Sequence, residues 1–420
     1  MSLDVLSYEE AAALVAKHSS KLAHNPRVVE RVKLSKAAGR VLAQPLRADR
    51  DQPPFARSTR DGFACRAADA STHQPIAVAG ATKAGDVPSG PLPRNSAWEI
   101  MTGAPVPRRA DAVLMLEHVE VVDGHVRLLP PRTVSPGENI VAKGAQARKG
   151  QLLLAAGTII GAAQIALAAA CGCAEIEVFA RPRAAILATG DELVAIEESP
   201  APGQIRNSNA PMLAAMVTAA GGEPWVLPIA ADTAHALDAA LARAADADLL
   251  LITGGVSAGK FDLVEPALAR AGARFHFTGV RMQPGKPTVF GEFSPRRGGL
   301  NFVQDKDRTK YFFGLPGNPV SSAVTFLLFA APMLDALAGS AGAGARFALA
   351  KLAADVKAKP GLTRFLPALC NFAGPTPEVA LVPWQGSGDI AAMARANCFL
   401  VVPEDAHRLK AGATVRILLL

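Results

Sequence analysis

The residues with the most evident chemistry lie in "ITGGVSAGKFD", residues 252–262. They follow an apolar run that reads as a buried strand. Gly254, Gly259 and Lys260 fit the pattern G-x-x-x-x-G-K, in which backbone amides cradle phosphate and a following Ser or Thr hydroxyl helps hold Mg²⁺. Here the following residue is Phe261, which cannot ligate a metal, and then Asp262, which can. No strand supplies the second acidic half of a nucleotide P-loop. The pattern therefore favours a phosphate site that holds its metal through carboxylates.

Other apolar runs end in similar residues. "RAAILATGDEL" delivers Thr189, Gly190, Asp191 and Glu192, and "EPWVLPIAAD" delivers Asp232. The central run leads into Thr253, Gly254, Gly255, Ser257, Lys260 and Asp262. "GLPGNP" delivers Pro316, Gly317, Asn318 and Pro319 just before a helix start. Strands alternating with helices imply a parallel sheet, and such sheets bind ligands beyond the carboxyl ends of their strands. Glycines let amides approach an anion, and a helix N-terminus adds partial positive charge. Carboxylates repel phosphate but hold Mg²⁺, which binds it. Each element also has an ordinary reading: a GG pair is a tight turn, an Asp after a strand is a helix cap, and "LPGNP" is a rigid turn. It is their joint placement on one expected rim that points to a phosphate ligand with a divalent metal.

The rim needs a scaffold, and the rest of the chain supplies one. Its 420 residues, half of them hydrophobic, suit several domains. Ser7 is an expected helix N-cap with Glu9 and Glu10 in the first turn, and a second helical stretch is expected around "KLSKAAGRVLA". The expected organisation is a discontinuous helical linking domain (1–46 and 145–180) and an inserted β-rich domain (47–144). A multidomain α/β chain then continues with an α/β/α doubly wound, mostly parallel sheet over 181–338 and a C-terminal β-barrel-like domain over 339–420. No apolar run is expected to reach the ~18 residues of a membrane span. The closest, Leu152 to Ala174, reads as a short strand and a buried helix. A net charge of +7 suits an anionic ligand, but the cations are dispersed and aromatics are 5%, which speaks against nucleic acid. Five scattered cysteines without a CxxC pair indicate neither zinc nor a disulfide framework, so a reduced cytoplasm is expected.

Segments along nearly the whole chain resemble the molybdopterin molybdenumtransferase family, called MoeA in bacteria and the gephyrin E-domain in animals. They are "PPFARSTRDGFACR", "WEIMTGAPVPRRADAVLMLE", "ATGDELV", "IAADT", "TGGVSAGKFD", "MQPGKPTVFG", "GLPGNPVSS", "WQGSG" and "MARANCFLVV", in the family's order. The resemblance implies an elongated four-domain homodimer. Its activity would be Mg²⁺-dependent insertion of molybdate into adenylyl-molybdopterin with release of AMP. It points to Asp61, Thr102, Glu192, Asp232 and Asp262 as catalytic residues, with Glu192, Asp232 and Asp262 as metal ligands. Thr189, Gly190, Asp191, Thr253, Gly254, Gly255 and Gly317 would bind the pterin substrate, and Ser257 and Lys286 would contact phosphate or molybdate. Pro316 and Pro319 would shape the last loop, and Gln283, Arg364 and Ser387 would complete the site. Gln283 stands where the family usually has Lys, and Arg364 is the cation placed to compensate. Asp389 follows the "WQGSG" turn where a small residue is commoner. The implied site lies between subunits, and the preceding adenylyltransferase is a candidate partner. A tungstate-specific homologue and a non-catalytic pterin-binding or scaffold protein are the alternatives.

Overall fold

The computed structural model describes residues 5–22, 27–255, 263–293, 309–340 and 344–420. At its centre four parallel strands run in the order Glu223–Val226, Arg183–Ala188, Leu249–Thr253 and Lys310–Leu315. Two antiparallel strands, Val289–Phe293 and then Ala273–Phe277, continue the sheet to one edge. Side chains of a strand alternate between faces, and here both faces are covered. Ala184, Ile186, Leu249, Leu251 and Phe313 pack with helix Asn209–Ala219 and the long helix after Lys310–Leu315. Ala185, Leu187, Leu250, Ile252 and Phe312 pack with helices Ala234–Arg243 and Val264–Arg270. Coverage on both faces is why these strands read as continuous apolar runs.

The long helix departs from expectation. Pro319–Leu337 is a 19-residue helix, apolar enough by length and composition to cross a membrane, and it is mostly buried inside the protein. Its middle, Phe326–Ala330, is a π-turn. Pro332 has no N–H to give the preceding turn, and Thr325 Oγ1 donates back to Ser321 O at 2.8 Å; both loosen the regular ladder there. The stretch from Leu152 forms strand Leu152–Leu154 and helix Ala162–Ala170, but only Ala168 of that helix is fully buried, so it lies on the surface.

A second correction concerns the linking domain. Helix Tyr8–Lys21 forms, with Ser7 and Glu10 capping each other's backbone amides at 3.1 and 2.8 Å. It packs with the α/β sheet and the C-terminal unit instead of with residues 27–46. The second helix expected near residue 34 is a single 3-10 turn, Leu34–Lys36. The linking segments are mainly antiparallel ribbons: Val29–Lys33 pairs with Glu175–Phe179, and Leu46–Arg47 pairs with Leu152–Leu154. Helix propensity yields to cross-strand pairing with a segment more than a hundred residues away. Between the two arms of the ribbons lies a six-stranded sheet ordered Ala112–Met115, Gly62–Cys65, Ser96–Ile100, Ile76–Thr82, His125–Leu128 and Val119–Val122.

The C-terminal strands close a five-stranded barrel: Thr363–Asn371, Glu378–Leu381, Phe347–Leu352, Thr414–Leu419 and Cys398–Val402, which pairs back with Thr363–Asn371. Closure removes exposed sheet edges. Strand Val280–Gln283 leaves the α/β unit and adds to the barrel, with Gln283 opposite Arg364.

Asp335, near the end of the long helix, has its carboxyl pushed up to about 6 by burial, partly offset by Arg346. Its ionised form is disfavoured in the fold, so stability is fullest below the unfolded value of 3.8 and falls as pH rises towards about 6. Asp335→Asn is expected to stabilise the protein by about 1–3 kcal/mol at pH near 8 and by little near pH 4. Urea midpoints at the two pH values check this.

Candidate functional site

The strand ends form the expected rim. Thr189, buried at the end of Arg183–Ala188, donates Oγ1–H to Asp232 Oδ1 at 2.6 Å. Asp191 Oδ1 accepts from the Asp232 amide at 3.0 Å, so two consecutive loops are tied together through carboxylates. Glu192 is exposed, and its carboxylate lies over Gly190, where an added Cβ would fall 2.5 Å from Oε2. Gly254 has φ +94° and a Cβ there would meet Thr189 O at 2.2 Å, so only glycine lets the central loop pass this close.

The central and last loops are joined by a residue the sequence reading did not select. Asn209 is buried, and its Nδ2 donates to Thr253 Oγ1 at 2.8 Å and to Gly317 O at 2.6 Å. Among the described residues its Oδ1 has no hydrogen-bond partner. The available signal was the polar stretch "RNSN", which runs into the first residue of the apolar helix Asn209–Ala219. Its function depends on contacts between distant segments, which spacing alone does not display.

The last loop meets the barrel side. Asn318 Nδ2 donates to Ser387 Oγ at 2.9 Å, and the Val320 amide donates to Ser387 O at 3.0 Å. One of the amides expected to face an anion at this helix start is thus taken by the "WQGSG" turn. Asp389 caps the next short helix by accepting from Ala392 N at 2.9 Å and Gln385 N at 3.0 Å, bonds that hold its carboxyl below the usual range. Its charge is spent on this turn. Arg364 Nε donates to Gln283 Oε1 at 3.0 Å and NH1 to the Leu362 and Lys359 carbonyls. A lysine at 283 would face this guanidinium with like charge, whereas the amide oxygen accepts from it. Lys286 is exposed in the loop after Gln283. Pro316 is buried and Pro319 opens the helix.

Asp61 and Thr102 come together in the inserted sheet. The Thr102 amide donates to Asp61 Oδ1 at 2.6 Å, and this bond holds the exposed carboxyl below the usual range. Among the described residues no hydrogen bond or ion pair joins this pair to the α/β rim. Ser257, Lys260 and Asp262 lie outside the described residues.

Three family models match in succession: the MoeA N-terminal region (domain I and II) over 6–172, the probable molybdopterin binding domain over 185–336, and the MoeA C-terminal region (domain IV) over 349–420. A molybdopterin molybdenumtransferase of Bacillus subtilis is 34% identical over 402 residues, covering 93% of this chain and 90% of the relative. One from Nostoc is 38% identical over 318 residues, 74% of this chain and 70% of the relative. The chain belongs to the molybdopterin molybdenumtransferase family. It is a transferase of molybdenum cofactor biosynthesis. A solved structure, the molybdopterin biosynthesis moeA protein from Pyrococcus horikoshii OT3, matches at 28% identity with TM-score 0.80, covering 99% of this chain and 100% of that one.

The Asn209 clamp generates a prediction. Asn209→Ala removes two bonds and leaves the Thr253 hydroxyl and Gly317 carbonyl to find others, an expected loss of about 1–3 kcal/mol. Urea unfolding measures it.

Proposed function

We propose that this chain inserts molybdate into adenylyl-molybdopterin in a Mg²⁺-dependent step that releases AMP. The observation that carries this reading is the rim itself: Asp191, Asp232 and two glycine turns held together at the carboxyl ends of parallel strands through Thr189 and Asn209, with the Glu192 carboxylate beside them. Water would attack the adenylyl phosphorus as the anhydride P–O bond breaks; AMP would leave carrying the water oxygen, and molybdopterin would keep its own phosphate. The amides of Gly255 and Gly317 would line the phosphates, while Gly254, whose own amide donates to Leu315 O at 3.3 Å, would with Thr253 and Gly190 keep the backbone close. Ser257 and Lys286 would add contacts to phosphate or molybdate.

Asp191, Glu192 and Asp232 do not close into a three-carboxylate cage; among the described residues the close metal-type cluster lies elsewhere. The donor set still fits Mg²⁺, which keeps several waters and takes one or two carboxylates together with substrate phosphates. Glu192, Asp232 and Asp262 would hold it. When bound, the ion would neutralise charge on the phosphoanhydride. Arg364, anchored on Gln283, would supply the positive charge for the oxyanion.

Asp61 and Thr102 would join the site from a second copy of the chain, giving a homodimer with composite sites. Their mutual bond and the charged state of Asp61 suit a surface made to meet such a partner. The preceding adenylyltransferase would deliver the substrate, and the cytoplasm would be the compartment, in keeping with five cysteines that are all free.

The test is AMP release from adenylyl-molybdopterin with Mg²⁺, with and without molybdate. Release is expected to depend on molybdate and to fall about a hundredfold in Asp232→Asn, the scale of losing one electrostatic contact at a reacting charge. Release that ignores molybdate, or that Asp232→Asn leaves intact, overturns the proposal. Arg364→Ala is expected to raise the molybdate concentration needed for half-maximal release several-fold, measured in the same assay.

A further inference from the structure

On the antiparallel side of the α/β sheet, three polar side chains from three elements converge in a buried spot. His18 lies in the last turn of helix Tyr8–Lys21, His276 on strand Ala273–Phe277 and Glu292 on the paired strand Val289–Phe293. One ligand atom from each lies within 4.8 Å of the other two. Glu292 Oε2 is 3.5 Å from His18 Nδ1 and 3.2 Å from His276 Nε2. A tetrahedral ion with bonds of about 2.05 Å sets neighbouring donors about 3.3 Å apart. The two separations match that spacing to within about 0.2 Å.

The groups are also poorly served without one. His18 is only 6% exposed. His18 Nδ1 and His276 Nε2 are both buried, and among the described residues neither has a well-oriented hydrogen bond, Glu292 Oε2 being the carboxylate oxygen beside both. Burial pushes the His18 imidazole down to about 4 and lowers that of His276, so both are neutral, the form that binds metal. Arg274 reaches Glu292 only at Oε1, at 3.8 Å, and its side chain is mostly exposed. The two imidazoles lie 4.1 Å apart, centroid to centroid, and each packs against Phe290. Such packing fixes ring orientation, as a metal site requires.

We propose that His18, His276 and Glu292 form a binding site for a divalent transition-metal ion of the zinc type, separate from the substrate rim, that fastens the N-terminal helix to the sheet edge. Two imidazoles and one carboxylate suit zinc or cobalt, whereas Mg²⁺ prefers oxygen donors throughout. A water would fill the fourth position. The ion joins residues 18, 276 and 292, so its binding free energy adds to folding.

The test uses untagged full-length protein stripped with a chelator and then titrated with Co²⁺ and Zn²⁺. The expected result is one Co²⁺ per chain retained through gel filtration, with the visible absorption of a four-coordinate site, and an unfolding midpoint that rises with Zn²⁺ but not with Mg²⁺. His276→Asn and the near-isosteric Glu292→Gln should each weaken binding about a hundredfold or more. Circular dichroism establishes that each variant is folded, and Glu292→Gln, which preserves side-chain volume, decides the matter if His276→Asn is not. Absence of retained Co²⁺ in the unaltered protein, or a folded variant that binds as well as it does, overturns the proposal.

Discussion

Strand Leu249–Thr253 is buried along its whole length between two other parallel strands and under helices on both faces. The rim depends on this placement. A strand hydrogen-bonded on both edges cannot slide without breaking both ladders and leaving buried amides unpaired, so Thr253 and Gly254 have fixed positions. Gly254 can then lie against Thr189 O, and Asn209 can reach both Thr253 and Gly317. The carboxylates inherit this precision, because Asp232 is located by Thr189 on the neighbouring strand.

The other units are attached to this centre in different ways. The barrel is joined by the ladder between Val280–Gln283 and Thr363–Asn371 and by shared apolar packing, in which Tyr8 meets Phe365 and Phe329 edge-on or tilted. A further link, from Asn318 to Ser387, lies at the rim itself. The Gln283–Arg364 pair sits on the same ladder, so a residue of the last domain is set by the register of a strand from the third.

Much of this was legible in the sequence, for physical reasons. Strands buried on both faces announce themselves as apolar runs, and the residues at their ends follow. Asp191, Glu192, Asp232, Thr253, Gly254 and Gly317 could therefore be assigned to one rim by counting past each run. Asn209 could not, because its value lies in bridging two loops more than a hundred residues from its partner Gly317. The linking segments misled because Ala and Lys favour helix locally, while the stretch after Lys33 makes one 3-10 turn and then bridges from Val41 to Ile159 and from Leu42 to Val178. Helix Pro319–Leu337 concealed its length behind two prolines, one at its start and one beside a π-turn that accommodates it.

The two-stranded ribbons have a geometric consequence. Two antiparallel pairs, Val29–Lys33 with Glu175–Phe179 and Leu46–Arg47 with Leu152–Leu154, carry both chain passages to the inserted sheet. A two-stranded ribbon is more strongly twisted than a wide sheet. The sheet that carries Asp61 and Thr102 therefore takes its orientation from these two ribbons and from the small apolar core that Leu42, Leu46, Ile160 and Val178 build between them. The barrel takes its orientation differently, from a short ladder of two residue pairs together with shared apolar packing.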